Sequence, residues 1–275
     1  MKKTTLFFAA LVVVTVLSAC ARGGSATQPT PSWQESLKKG ATAPYHSVIA
    51  QDPTYQKVLG LNILLYPAPI DDPKIGAFGK SDWKLDASDF VQAMTKAFAG
   101  KQMGDKAVYE PVVSALQNDP FVAEVRDTIY DGQPVQVGWI YGNTNGLDLL
   151  EYNDAAVTLI PANDIVVFFG QKSKLDTQTW SYNTSDTTAF YAPAKSVIAL
   201  LSDTMHSSPV RVHKATGQLT AVITPAGVGI DRATPGQGMD QALVAKERWV
   251  FALPDAGAGY YVGLKGQKIL IEPAD

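Results

Sequence analysis

Side chains able to do chemistry are scarce in this sequence. There are three histidines, His46, His206 and His213, and one cysteine, Cys20. A single cysteine can form neither an internal disulfide nor a Cys-rich zinc site. The most informative grouping is Glu151-Tyr152-Asn153 together with His206. Residues i and i+2 of a strand share a face, so Glu151 and Asn153 project the same way. A carboxylate, an amide oxygen and an imidazole can hold a hard divalent ion weakly, with water in the remaining positions. Only two of the three are strong ligands, so a metal-free pocket, in which these groups bond each other or a ligand, is the favoured expectation. His206 can be a general acid or base oriented by Glu151. It can equally be a structural residue that satisfies backbone groups near the Pro209 turn. Asp203 is a candidate salt-bridge partner for it. His213 alternates outward with Arg211 and reads as a surface residue, and His46 reads as structural.

Aromatic rings offer a second kind of site. Trp139, Tyr141, Tyr152, Phe190, Tyr191 and Trp249 fall in strand-like runs. Sugars stack on such rings through apolar C–H faces, while their hydroxyls pair with polar side chains. The competing reading of each ring is plain core packing. The polar loop Tyr141-Gly142-Asn143-Thr144-Asn145-Gly146 can gate a mouth or simply turn a hairpin. Gly227-Val228-Gly229 and Gly236-Gln237-Gly238 lack the strand–loop–helix setting of a nucleotide site. No Gly-x-Ser-x-Gly element is present, so a serine-hydrolase elbow is excluded.

The chain has 275 residues, 46% apolar and 18% charged, with a formal net charge of −3. That composition can bury a sizeable core. No basic run exceeds two residues, which argues against nucleic acid as a partner. The first residues read as an address. Met1-Lys2-Lys3 is a charged start, and Leu6 to Leu17 is apolar except for Thr15. Twelve helical residues cover about 18 Å, short of a ~30 Å hydrocarbon core, so this is a signal-peptide segment and not a span. It ends in Leu17-Ser18-Ala19-Cys20, which looks like a bacterial lipobox, with cleavage before Cys20 and lipid on its sulfur. Removing residues 1–19 takes Lys2 and Lys3 and no acid, leaving 21 basic and 26 acidic side chains, a net of −5. Two or more acyl chains give stable anchoring. Residues 20–32 read as the lipidated cysteine and a flexible tether. The expected location is therefore extracytoplasmic, lipid-anchored to the cell membrane or outer membrane.

Residues 33–128 read as a small, mostly helical N-terminal subdomain. Asp52-Pro53 is a helix opening. The Pro-, Gly- and Asp-rich stretch from Leu61 to Lys84 reads as a loop. Asp86 caps a helix on which Phe90, Met94 and Phe98 recur every four residues before Gly100 stops it. Val112 to Arg126 reads as one or two short helices broken at Asn118-Asp119-Pro120. From residue 129 onward short apolar or alternating runs dominate: Val135–Tyr141, Leu147–Tyr152, Ile165–Phe169, Ala189–Tyr191, Val197–Leu201, Val210–His213, Leu219–Thr224, Arg248–Leu253 and Ile269–Glu272. That spacing predicts a two-sheet β-barrel over 129–275.

The motifs then resemble the cupin barrels. Those carry His-x-His-x₃-Glu on one strand pair, then Pro-x-Gly and a further His. Here Glu151-Tyr152-Asn153 is followed by Val157 where the acid would fall, then Pro193-Ala194-Lys195 and His206. A closer resemblance, over roughly residues 45–272, is to an uncharacterised bacterial cupin-like family, domain of unknown function 4867. It rests on Asp52-Pro53-Thr54-Tyr55, Tyr109-Glu110-Pro111, residues 129–138 (IYDGQPVQVG), Leu149-Leu150-Glu151-Tyr152, residues 164–170 (DIVVFFG), residues 189–193 (AFYAP), Thr204-Met205-His206 and Arg248-Trp249-Val250. The resemblance implies a double-stranded β-helix barrel with a pocket, and no particular reaction. Asn153, Val157 and Leu253 stand where the family pattern has His, an acid and His. Only Glu151 and His206 remain of that set.

The expectation is a lipid-anchored cupin-like protein with a degenerate metal pocket made by Glu151, His206 and Asn153. It binds a small polar ligand, such as a carbohydrate or sugar acid, with Asn153, Tyr152, Tyr191, Trp249 and Trp139 as contacts, or else an envelope protein. The cofactor is unknown: a weakly held divalent metal is one expectation, and none is the better one. Two alternatives stand beside this. One is a metal-assisted isomerase or lyase on a sugar-derived substrate, using His206 and Glu151. The other is a non-catalytic surface interaction protein with a packed interior.

Overall fold

The computed structural model describes residues 68–275 apart from 235, 257, 258, 272, 274 and 275. The signal segment, Cys20, the tether and the first part of the N-terminal region, including His46 and the Asp52-Pro53 opening, lie outside the described residues. No described helix is long and apolar enough to cross a membrane.

Sixteen strands and two α-helices make up the regular structure of the described chain. In chain order the strands are β1 (Ala68–Pro69), β2 (Gly79–Lys80), β3 (Val108–Glu110), β4 (Val135–Gly142), β5 (Leu149–Asn153), β6 (Val157–Pro161), β7 (Ile165–Gln171) and β8 (Tyr182–Asn183). They continue with β9 (Thr188–Ala192), β10 (Ile198–Leu200), β11 (Thr204–Ser207), β12 (Val210–Arg211), β13 (Gln218–Pro225), β14 (Leu243–Ala245), β15 (Arg248–Ala252) and β16 (Leu264–Lys265). The helices are α1 (Ser88–Phe98) and α2 (Pro120–Ile129).

Two sheets carry the barrel. The first has the order β1-β9-β7-β11-β5-β15-β14, with β12 also on β7; the second runs β2-β10-β6-β13-β4-β3. The chain passes between the sheets as it advances: β4 second, β5 first, β6 second, β7 first. It then retraces its path, because β9 pairs with β7, β10 with β6, β11 with β5 and β13 with β4, all antiparallel. One long antiparallel hairpin is thus wound into a helix. That is the double-stranded β-helix, the cupin-like barrel expected from the sequence.

Strand alternation sorts the side chains into two sets. Ile140, Leu159, Val167, Phe169, Phe190, Ile198, Leu200 and Val222 meet in one buried cluster between the sheets. Their neighbours in sequence face outward. On the second sheet, Val137, Trp139, Tyr141, Ala221 and Ile223 pack with Phe90, Met94 and Phe98 of α1 and with Val122, Val125 and Ile129 of α2. Residues 68–128 therefore add three short strands to the barrel sheets, and their helices cover its outer wall.

The helix signals act locally as the sequence reads. The N-cap position of α1 is Ala87, one residue after the predicted cap; the Asp86 carboxylate just ahead of it accepts from Ser88 N (2.9 Å), and Gly100 follows the end of the helix at φ +88°. Asp119 accepts from Phe121 N (3.0 Å), with Pro120 in the first turn of α2. Tyr130, fully buried just after α2, fastens this layer to the barrel. Its hydroxyl donates to Ile223 O (2.7 Å) and lies 3.0 Å from Thr158 Oγ1. Burial pushes its phenol well above the ordinary tyrosine range. Two central strands differ from the sequence reading: β6 and β11 are not among the predicted runs. The predicted last strand, Ile269–Glu272, shows among its described residues one bridge, Leu270 to Gly146.

Removing the Tyr130 hydroxyl strands a buried polar cluster, so Tyr130→Phe should destabilise the protein by about 1–3 kcal/mol. Urea unfolding monitored by tryptophan fluorescence checks this. An unchanged midpoint would show that the bond contributes nothing.

Candidate functional site

Glu151 and Asn153 share the inward face of β5, and His206 lies opposite Glu151 on β11. All three are buried, at 5%, 6% and 5% exposure. The register on the other side of β5 places Arg248 opposite Asn153 and Val250 opposite Glu151. Arg248, Val250 and Ala252 share a face, so the arginine also points into the barrel. Its Nε donates to Glu151 Oε2 in a buried ion pair. The guanidinium carbon sits 4.5 Å from the centre of the Tyr109 ring, a cation–π contact that favours the charged arginine. Tyr109 is itself pushed up to about 12, chiefly by burial.

The imidazole bonds on both sides. Asn153 Nδ2 donates to His206 Nε2 (3.3 Å), and Nδ1 then carries the proton toward Ser207 O (3.4 Å). That arrangement needs the neutral ring. Burial holds the His206 pKa below its ordinary value, and the nearby Glu151 only partly offsets this. For Glu151, burial by itself raises the pKa. The Arg248 charge and hydrogen bond, with His206, reverse that and leave the carboxyl below its ordinary range. Burial opposes the charge of Arg248 too, and Glu151 more than restores it.

These groups line one end of the barrel interior, with Tyr109, Ile140, Leu159, Pro209, Val222 and Thr224 around them. The free volume is about 10 Å³, roughly what one water needs. Thr224 Oγ1 is buried there with no hydrogen-bond partner among the described residues. The interior is therefore neither an open polar cavity nor wholly apolar. It is packed apolar at the Phe169–Phe190 end and carries a compact polar set at the other.

The site fits a tightly held metal poorly. Glu151 is committed to Arg248, His206 Nε2 accepts from Asn153, and a cation there would face the arginine charge. No group of three or more His, Cys, Asp or Glu able to hold a metal occurs among the described residues.

The aromatic contacts expected from the sequence are corrected by the pleat. Tyr152 lies between Glu151 and Asn153, so it must face the opposite way. It packs with Trp249, 5.3 Å between ring centres, on the outer face of the first sheet. Tyr191 is on that same face, its hydroxyl donating to Asp164 Oδ2 (2.7 Å). Trp139 is buried on the outer wall of the second sheet against Phe98, at 5.4 Å. None of these four rings lines the barrel pocket. Phe190 does face inward, in the apolar cluster. Asp203 is not the His206 partner. It acts on Lys172 and Tyr152, where the Lys172 ammonium contacts the Tyr152 hydroxyl and Tyr152 donates to Asp154 (2.6 Å). His213 is a partly exposed residue 3.9 Å from Asp164.

Sequence reasoning missed Arg248, Tyr109 and Thr224 as pocket residues. The signal for Arg248 was available: a lone cation opens the apolar run Arg-Trp-Val-Phe-Ala on the same face as Val250. A buried cation there needs a buried acid.

The comparisons with known proteins identify the family. The family described as Domain of unknown function (DUF4867) matches residues 68–269. The chain belongs to this family. No curated protein matches the chain. Among solved structures, a single-site mutant of Bacillus subtilis oxalate decarboxylase OxdC is 6% identical over 46% of this chain and 26% of its own, with a TM-score of 0.27. The epimerase SnoN, solved with Fe3+, alpha ketoglutarate and nogalamycin RO, is 12% identical over 58% and 85%, with a TM-score of 0.36. HygX from Streptomyces hygroscopicus, solved with iron bound, is 11% identical over 63% and 87%, with a TM-score of 0.33. The DUF4867 chain thus spans about a quarter of the length of the decarboxylase.

Two outcomes follow for the DUF4867 pocket. Arg248→Ala leaves Glu151 buried and uncompensated and should cost about 3–5 kcal/mol, whereas the double change Arg248→Met with Glu151→Leu should recover most of that loss. Denaturant unfolding of the three proteins checks it, and a double variant no better than the single would contradict the pairing. Stability should also depend on pH. Below 6.5, the ordinary histidine value, the unfolded chain takes up a proton that buried His206 refuses, so stability falls as pH drops from about 7 to about 5. Glu151 adds a further loss below its ordinary value of 4.5. His206→Gln should flatten the upper part of this profile in thermal melts, and an unchanged slope would show that His206 does not set it.

Proposed function

We propose that this protein is a lipid-anchored, extracytoplasmic binding protein in which a protein cation, Arg248, supplies the positive charge at the centre of a cupin-like barrel. The observation that carries this reading is the buried Glu151–Arg248 pair in one pocket with Asn153 and His206. A pocket built this way neutralises its own carboxylate and keeps its imidazole uncharged. It is suited to holding polar groups by hydrogen bonds, and both strong ligands that a metal would need are engaged. The metal-assisted isomerase or lyase reading is set aside on that ground.

The ligand is small and polar, a carbohydrate or a sugar acid. Only a water-sized group reaches the barrel centre, where Thr224 Oγ1 has no partner among the described residues, so most of the ligand lies outside it. The anchor rests on Leu17-Ser18-Ala19-Cys20, with the membrane as the partner that the lipid supplies.

The test has two arms. In a bacterial host, Cys20→Ser should move the protein from the membrane to the soluble fraction, and retention in the membrane would remove the lipid anchor. Calorimetric titration of the purified protein with neutral and acidic sugars should give saturable heat with at least one, without added metal. Heat that appears only after loading with a divalent metal would return the site to metal chemistry.

A further inference from the structure

Arg248 has a second side. It also lines an open cleft of about 350 Å³ beside β14 and β15, with Arg232, Gln241, Leu243, Tyr260 and Tyr261. That volume falls within the range of small-molecule sites, whereas the barrel pocket holds about a water. Among the described residues the lining contains two guanidinium groups and no carboxylate, on a chain whose formal net charge is negative. Glu151 takes only Nε of Arg248, and no other acceptor among the described residues bonds this side chain. Its two terminal NH₂ groups therefore remain available, while the Nε bond and the Tyr109 ring fix the plane of the fork. Arg232 is exposed, and Tyr260, 40% exposed, lies close enough to Arg248 to influence its charge. Such a cleft repels cations. Arg248 already has its charge answered by Glu151, so a neutral sugar would leave the exposed Arg232 charge unanswered and the terminal NH₂ groups of Arg248 without an anionic acceptor. A carboxylate matches the fork of an arginine in shape and charge. The exposed Tyr260 offers a ring face and a hydroxyl to the rest of a small polyol, while Tyr261, whose hydroxyl donates to Thr179 O (3.3 Å) and whose ring packs against Phe251, forms part of the cleft wall.

We propose that this cleft binds a small hydroxy-carboxylate of the sugar-acid class, its carboxylate recognised by Arg232 and Arg248. This rests on the ligand-binding reading above and gives that ligand a chemical class and a place. Arg248 then joins the ligand to the buried Glu151 and His206, so occupancy of the cleft and the state of the barrel centre are coupled through one side chain.

Titration of the purified full-length protein at low ionic strength with glucuronate, gluconate, glucose and inorganic phosphate tests it. One of the two acids should bind at least about ten-fold more tightly than glucose, and Arg232→Ala should weaken that binding by about ten-fold or more. Arg232→Lys should restore part of the loss. Because Arg232 is exposed, the melting temperature of Arg232→Ala should match that of the parent, which separates a binding effect from misfolding. Glucose binding as tightly as the acids overturns the carboxylate class and leaves the general binding reading intact. Acid binding that is insensitive to Arg232→Ala but lost in Asn153→Leu overturns the cleft and keeps the barrel pocket. Phosphate binding as tightly as both acids reduces the cleft to an inorganic-anion site and overturns the sugar acid. No heat with any of the four overturns this inference and the reading beneath it together.

Discussion

A carboxylate inside a protein must be given a partner, because leaving it alone in a low-dielectric interior costs several kcal/mol. Much of the polar end of this barrel follows from meeting that demand. Glu151 is fixed on the inward face of β5, and the cation that answers it comes from β15, 97 residues away along the chain. The pairing works only if β15 lies beside β5 in the register that sets Arg248 across from Asn153. The ring of Tyr109 then closes over the guanidinium from β3, which belongs to the opposite sheet. One electrostatic constraint thus ties together the first sheet, the second sheet and the strand added after the barrel has closed.

The same constraint decides what the site can do. An arginine beside Glu151 keeps the carboxylate ionised and unavailable, and it discourages His206 from gaining charge. Asn153 supports the neutral imidazole by donating to Nε2. The result is a self-compensated polar set. Its side chains converge inside the barrel while their charges are balanced by protein groups. Its small free volume directs attention to the rim, where Arg248 emerges into the neighbouring cleft.

Much of the architecture was legible in the sequence. The apolar spacing of Phe90, Met94 and Phe98 marked α1, and Asp119-Pro120 marked the start of α2, because both signals are local. The strands β4, β7, β9 and β13 announced themselves as apolar or alternating runs between turn residues. β6 did not, since Val-Thr-Leu-Ile-Pro is short and its proline argues against a strand interior. β11 did not, since Thr-Met-His-Ser alternates two polar inward or hydrogen-bonding residues with little apolar content. Both form because neighbours on each side complete their ladders, and that support comes from distant parts of the chain.

The candidate site divides in the same way. That Glu151 and Asn153 point together, and that Tyr152 between them must point away, follows from the two-residue period of a strand and needs only the sequence. The scarcity of histidine and cysteine, which limits the available metal chemistry, also belongs to the sequence. Which face of β5 is the inside, that His206 stands across from Glu151, and that Arg248 reaches the same point were decided by strand register. Register is a long-range property: it depends on which strands meet, and a shift of one residue would turn every one of these side chains to the other side of the sheet.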